Sequence, residues 1–286
     1  MNLIPQPREL TLCRDEFYIL PQKAQLSMPV LEPRLSKAIS VLFASLSVSV
    51  SGALYCLCCG DYPEEPEALE TPQGYDYYEL SVTAKSLVLK SASAAGLFCG
   101  IQTLRQLLCS YKSGLPLVQI RDWSDTRLRC DHYDLRTIHP TYAHLAEYIE
   151  EMAFYKINAL LVEYEDKLPF QDLKQLRHPN GMTEPELERL LAAAYDNFIE
   201  VIPLQQTYGH LEYVLKHPEF IHLREQQNHV AELCPMKEES FALVCRMLKD
   251  ISDLHPDSRY LHLGGDEVWS IGTCSACRSQ GLSHSA

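Results

Sequence analysis

Apolar positions along this chain change their period partway through, and the change divides it into two blocks. In the first, residues 35–46 carry helical spacing, 52–58 read as a strand, and 75–82 with 86–90 form a strand pair. Residues 94–108 place Leu97, Ile101, Leu104 and Leu108 on one helical face, and 116–120 make a last short strand. Strands and helices mixed in this order predict a small α+β domain over residues 1–122.

From residue 126 strand and helix patterns alternate. Residues 128–135 are strand-like, and 144–155 are helical, with Leu145, Tyr148, Ile149 and Met152 in register. A buried strand follows at 157–162. Thr183-Glu-Pro-Glu186 has the form of a capping box, opening a helix that carries Leu187, Leu190, Leu191 and Ala194. Strand 199–204, helix 241–254 and a fourth strand at 260–263 complete the pattern. Parallel strands with crossover helices place the second block, 126–286, in the α/β class, as a (β/α) barrel or a doubly wound sheet. A full (β/α)8 barrel takes about 250 residues. The block is shorter, so about four βα units, the first half of a TIM barrel, are expected.

Composition narrows the function. The 286 residues are 46% hydrophobic and 22% charged, an ordinary globular balance. A formal net charge of −13 argues against nucleic acid or an anionic membrane surface as partner. No uncharged apolar run reaches the roughly 18 residues of a spanning helix, and the N-terminus lacks the basic start and apolar core of a signal peptide. Eleven irregularly spaced cysteines then read as free thiols in a reducing compartment, so a cytoplasmic location is expected. The proline-bearing acidic stretch 61–70 reads as a solvated loop.

The chemistry concentrates in Tyr260-Leu-His-Leu-Gly-Gly-Asp-Glu-Val-Trp269. Adjacent side chains on a regular strand point to opposite faces, but Gly264-Gly265 permits a bend that turns Asp266 and Glu267 into one pocket. Two close carboxylates divide into one protonated acid and one fixed anion, a division suited to glycosidic cleavage. Helix capping by an acidic loop is the competing role. Cys274-Ser-Ala-Cys277 has metal or redox spacing, but one Cys-x-x-Cys supplies two of the four ligands structural zinc needs. Cys234 and His284 could complete a set, and nothing in the sequence demands one, so no metal is expected.

His262-Leu-Gly-Gly-Asp-Glu267 resembles the signature of the glycoside hydrolase family 20 β-N-acetylhexosaminidases. Ile4-Pro-Gln-Pro7 and the helix Ala95-Gly-Leu-Phe-Cys-Gly-Ile-Gln-Thr-Leu-Arg-Gln-Leu-Leu108 resemble that family's small N-terminal domain. Arg129-Cys-Asp-His-Tyr-Asp-Leu-Arg136 resembles its first barrel strand and Tyr208-Gly-His210 its third. Glu163-Tyr-Glu-Asp166 and Gly209-His-Leu-Glu-Tyr-Val-Leu215 are closest to the hexosaminidase D-like branch.

The resemblance implies substrate-assisted retaining catalysis, in which the sugar's own 2-acetamido oxygen is the nucleophile. Glu267 would protonate the leaving oxygen and later activate water. Asp266 would stay ionised, orient the acetamide N–H and offset the positive charge of the oxazolinium. No cofactor or metal is required, and the implied partner is an N-acetylhexosamine-containing oligosaccharide or glycoconjugate. Arg136 would grip the sugar 3- and 4-hydroxyls. It stands two residues after Asp134 where the family has three, so a surface salt bridge is its competing role. His210 would bond a carboxylate or the substrate. Glu163, with Glu165 and Asp166, is expected at the rim or as a solvated acid. Trp269 would stack on a sugar face or pack against a helix, and His262 is expected beneath the acids.

Length sets a further expectation. The later strands that supply the family's aromatic acetamide walls are absent here, so the chain reads as truncated after the fourth strand, with little activity alone. Two alternatives stand beside this reading: a carbohydrate-binding half-barrel that self-associates through its open edge, and a barrel enzyme using the acid pair for metal-assisted chemistry.

Overall fold

The computed structural model describes residues 2–61, 69, 74–111 and 114–282, and most of the acidic stretch at 61–70 lies outside the described residues. In chain order the elements are β1 (Glu9–Tyr18), β2 (Lys23–Met28), α1 (Pro33–Ser40), β3 (Ser45–Val50), β4 (Tyr55–Gly60), β5 (Tyr75–Val82), β6 (Ser86–Ser91), α2 (Ala94–Ser110) and β7 (Leu115–Ser124). They continue with β8 (Cys130–Asp134), α3 (Tyr142–Phe154), β9 (Ala159–Glu163), α4 (Glu184–Asp196), β10 (Glu200–Leu204), α5 (Glu212–Leu215), α6 (Glu238–Asp253) and α7 (Ser275–Ser279). Two compact units result: Met1–Arg129 with Ala146–Asn158 and Ala193–Ile199, and Cys130–Leu145 with Ala159–Ala192 and Glu200–Ala286.

The first unit is a seven-stranded sheet in the order β1-β7-β5-β6-β4-β2-β3. The helix expected at 35–46 ends at Ser40, and Ser-Leu-Ser-Val-Ser-Val, residues 45–50, alternates as edge strand β3 instead. Helix α2 covers the sheet with Leu97, Ile101, Leu104 and Leu107 fully buried. Gly100 permits the close approach: a Cβ there would sit 2.3 Å from Leu89 Cδ1 and 2.9 Å from the Tyr78 ring. Ser93 caps the helix by accepting the Gly96 N–H at 3.0 Å.

Beneath α2 the unit holds a buried charge pair. Lys156 Nζ lies 2.7 Å from Asp122 Oδ2 and donates to Tyr78 Oη at 3.0 Å, while Tyr78 donates to Asp122 at 2.9 Å. Burial, then the Asp122 charge, raises the Tyr78 phenol well above its ordinary range.

The second unit is built on a parallel sheet in the order β10-β9-β8. Its register sets Asp134, Glu163 and Leu204 level across the three C-terminal strand ends. The four strands anticipated become three strands and one bridge, Leu204 to His262. Two residues later the backbone enters the left-handed region at Gly264 (φ 61°) and Gly265 (φ 96°), which ends any ladder. Tyr260 and Leu263 are 43% and 50% exposed, so no second apolar face is available to extend it. At Thr183, Glu186 accepts both the backbone N–H (2.9 Å) and the hydroxyl (2.7 Å), the acid half of the expected capping box.

His255 is buried after α6, within 3.0 Å of the Tyr164 hydroxyl through Nε2 and 2.8 Å of the Ile251 carbonyl through Nδ1. The carbonyl only accepts, so Nδ1 carries the proton and Nε2 takes the tyrosine O–H. Burial drives its pKa down to about 4, against a weaker upward pull from the Ile251 bond. Among the described residues no helix is long and apolar enough to cross a membrane.

Two outcomes follow. Lys156→Met strands the Asp122 carboxylate in the core and should lower the unfolding free energy of its unit by ~3–5 kcal/mol in urea titrations. His255 binds a proton near 6.5 when unfolded but only near 4 when folded. Its contribution, up to ~3 kcal/mol, is therefore present above 6.5 and lost as pH falls toward 4. His255→Gln should flatten the loss of stability between pH 7 and about pH 5.

Candidate active site

The level strand ends bring the residues that follow them close to one another. Arg136 follows β8 by two residues, Gln206 follows β10 by two, and the Gly264-Gly265-Asp266-Glu267 turn follows the His262 bridge.

The turn is shaped by steric exclusion. A Cβ on Gly264 would come within 2.1 Å of Gln206 Oε1, and one on Gly209 within 2.7 Å of the Asp266 carbonyl oxygen. Gly265 N–H donates to Gln206 Oε1 at 3.2 Å, and Thr207 Oγ1 donates to the Leu263 carbonyl at 2.9 Å. Glu267 takes a positive φ of 50° and His210 one of 53°, strained values for side chains with a Cβ. The backbone beyond is held by buried Glu232, which accepts the Trp269 N–H at 3.0 Å and the Ser270 N–H at 2.7 Å.

This bend brings both carboxylates to one nitrogen. His210 Nε2 lies 3.5 Å from Asp266 Oδ2 and 3.4 Å from Glu267 Oε2. Its Nδ1 lies 3.0 Å from Arg136 Nη1. A guanidinium only donates, so Nδ1 accepts and the imidazole proton sits on Nε2, facing the acids. Arg136 is oriented from behind by Asp134, whose Oδ2 lies 2.7 Å from both Nε and Nη2. Of the two roles left open for Arg136, the salt bridge is formed, with Asp134, and the same guanidinium also reaches the histidine.

Asp266 and Glu267 remain 63% and 64% exposed. Partial burial pulls the Asp266 carboxyl upward, but its own backbone N–H, the Gln206 amide, the nearby His210 imidazole and the Arg136 charge outweigh it and hold it below the ordinary range. Asp266 is therefore held as a stabilised anion.

Other expected residues lie elsewhere. Glu163 ends β9 at the row of strand ends but is not solvated; it is 2% exposed, bonded by Gln206 Nε2 at 2.9 Å and faced by His132 Nε2 at 3.3 Å. It anchors Gln206, which in turn holds the turn at Gly265. Asp166 is also buried, 2.7 Å from Lys167 Nζ. Burial, then the Glu163 charge, pushes Glu165 up to about 8, so it keeps a proton at neutral pH. His262 is exposed rather than beneath the acids, accepting the Gly264 N–H at 3.1 Å. Trp269 is held by its backbone while its side chain is 69% exposed, without a helix-packing role.

Sequence reasoning missed Gln206, His132 and Glu232. Gln206 sits two residues past a strand end, a position that signals a site without naming its chemistry. Glu232, in a polar loop, carried no signal.

A parallel sheet with an acid pair at its strand ends defines an α/β protein of barrel type with a carboxylate centre. Residues 1–123 match glycosyl hydrolase family 20, domain 2, and residues 134–282 match the glycosyl hydrolase family 20 catalytic domain. The chain belongs to glycosyl hydrolase family 20. Hexosaminidase D of Bos taurus is 40% identical over 146 residues, 51% of this chain and 42% of the relative. Hexosaminidase D of Homo sapiens is 40% identical over 153 residues, 53% of this chain and 32% of the relative. The chain thus matches less than half the length of these curated relatives. The fold is also that of the Bacteroides fragilis β-N-acetylhexosaminidase, with a TM-score of 0.73 at 18% identity, covering 97% of this chain and 59% of that one. A mutant Streptomyces plicatus β-hexosaminidase in complex with its product GlcNAc superposes with a TM-score of 0.72 at 20% identity, covering 93% of this chain and 59% of that one.

The polar relay makes a titration prediction. In ¹³C-resolved carboxyl spectra Asp266 should titrate below the ordinary aspartate range, and both His210→Ala and Arg136→Met should move its midpoint up. An unchanged midpoint in both variants would contradict the assignment of Asp266 as the stabilised anion.

Proposed function

We propose that this chain carries the acid–base centre of a retaining β-N-acetylhexosaminidase acting on terminal N-acetylglucosamine or N-acetylgalactosamine residues. One observation supports this above the others: Asp266 and Glu267 converge on His210 Nε2 at the C-terminal ends of parallel strands. Asp266 is the stabilised anion, suited to orienting an acetamide N–H and balancing an oxazolinium cation. Glu267 stands beside it, suited to delivering a proton to the leaving oxygen and then taking one from water. The nucleophile is the substrate's acetamide oxygen, so no protein nucleophile is assigned. Arg136, set by Asp134 and beside His210, would take the sugar hydroxyls, and exposed Trp269 would offer an aromatic face.

Exposure also bears on rate. Electrostatic stabilisation of an oxazolinium is strongest where water is excluded, and both acids here are mostly in water. The 286-residue chain alone should therefore turn over p-nitrophenyl N-acetylglucosaminide slowly. Glu267→Gln should lower whatever kcat remains by ~10²–10⁴-fold. A thiazoline that mimics the bicyclic intermediate should bind the parent chain and lose affinity in Asp266→Asn. Equal hydrolysis by the Glu267→Gln chain would sink the acid–base assignment. Sugar binding with dimerisation and no hydrolysis would favour a carbohydrate-binding half-barrel instead.

A further inference from the structure

Beyond the carboxylate pair, the second unit gathers three thiols and a carboxylate that the hydrolase chemistry does not use. Residues 223–234 fold back on themselves: Arg224 bridges Leu233, Glu225 N–H donates to the Glu232 carbonyl and Cys234 N–H to the Leu223 carbonyl, both at 2.9 Å. This sets Glu225 beside Cys234. Cys274 caps α7 and Cys277 lies in its first turn. The sulfur of Cys234 is 3.4 Å from that of Cys274 and 3.6 Å from that of Cys277, and Cys277 Sγ is 3.3 Å from Glu225 Oε2. All four donor atoms lie within 4.8 Å of one another, and Glu225, Cys234 and Cys277 are buried.

We propose that Glu225, Cys234, Cys274 and Cys277 form a structural zinc site. The donor set is three soft thiolates and one carboxylate, a set that suits tetrahedral zinc. Zinc–sulfur bonds of about 2.3 Å put sulfurs about 3.8 Å apart around a tetrahedron, so the observed spacing needs only a small expansion. A disulfide fits less well. Its sulfurs would have to close to about 2.05 Å, and the third thiol would be left against a buried carboxylate.

The surroundings are those of a metal site. Glu225 Oε1 accepts the Thr273 and Cys274 N–H groups, each at 2.8 Å, leaving Oε2 for the ion. Cys277 N–H donates to Cys274 Sγ at 3.3 Å, orienting that sulfur. The sequence could not complete this set. His284 lies outside the described residues, and Glu225 stands far from the Cys-x-x-Cys pair along the chain.

The site would act as a staple for the acid turn. The loop that carries Glu225 and Cys234 also carries Glu232, which holds the backbone of Trp269 and Ser270 just beyond Glu267. Zinc would tie this loop to the segment leaving the turn. The metal assignment stands apart from the hydrolase proposal, because it is read from metal content and thiol protection.

The 286-residue chain, purified under reducing conditions without chelator, should contain one zinc per chain by plasma mass spectrometry. Cobalt exchanged into it should give sulfur-to-cobalt charge-transfer absorption. Cys234, Cys274 and Cys277 should resist iodoacetamide until a chelator is added. Cys274→Ser and Cys277→Ser should weaken zinc by at least the ~10–100-fold that loss of an outer-shell partner costs, while Cys245→Ser, at an exposed position on α6, keeps it. The parent chain's zinc content and thiol protection need no variant to fold. Zinc-free protein with these thiols freely alkylated overturns the proposal, as does an intact mass showing a disulfide among them.

Discussion

The register of three parallel strands is the constraint on which the candidate site depends. Asp134, Glu163 and Leu204 end level, and His262 joins the row through one bridge. The residues of the candidate site lie in that row or in the segments that follow it. A one-residue slip of β9 would turn Glu163 to the other face and remove the acid that positions Gln206. With Gln206 displaced, the amide that receives Gly265 N–H would be lost, and the turn bearing the acid pair would have no fixed floor.

Above this floor, polarity alternates in a short relay. Asp134 orients Arg136, Arg136 sets the tautomer of His210, and His210 presents its proton to Asp266 and Glu267. Each partner leaves the next a single role, because guanidinium cannot accept and an ionised carboxylate cannot donate. The strained backbone at His210 and Glu267 belongs to the same device: left-handed φ values aim adjacent side chains to one side, where a regular strand would send them apart.

The two units handle buried polarity differently. In the first, Lys156, Asp122 and Tyr78 satisfy one another beneath α2, a closed network with no open face. In the second, buried acids face backbone amides: Glu232 and Glu225 between them receive four N–H groups from residues 269–274. Those bonds hold a segment that has little regular secondary structure of its own, and they place the cysteines beside the same loop.

Much of the chemistry was legible from residue order. The Gly-Gly-Asp-Glu turn, the histidine after the third strand and the alternation of strands and helices are local patterns, and local sterics and period determine them. The α2 face was equally readable, since its leucines repeat at helical spacing. What the sequence by itself could not decide was which polar side chains stay in water. Glu163 reads like any acid at a strand end, yet it is buried because His132 of β8 and Gln206, just past β10, meet it there. His262 reads as interior, yet the chain turns at Gly264 before it can be covered. Glu225 and Cys234 join Cys274 and Cys277 only because a loop closes on itself some forty residues earlier in the chain. Periodicity is a property of neighbours along the chain, whereas partnership between distant polar groups depends on strand register and loop closure, and these only the tertiary structure decided.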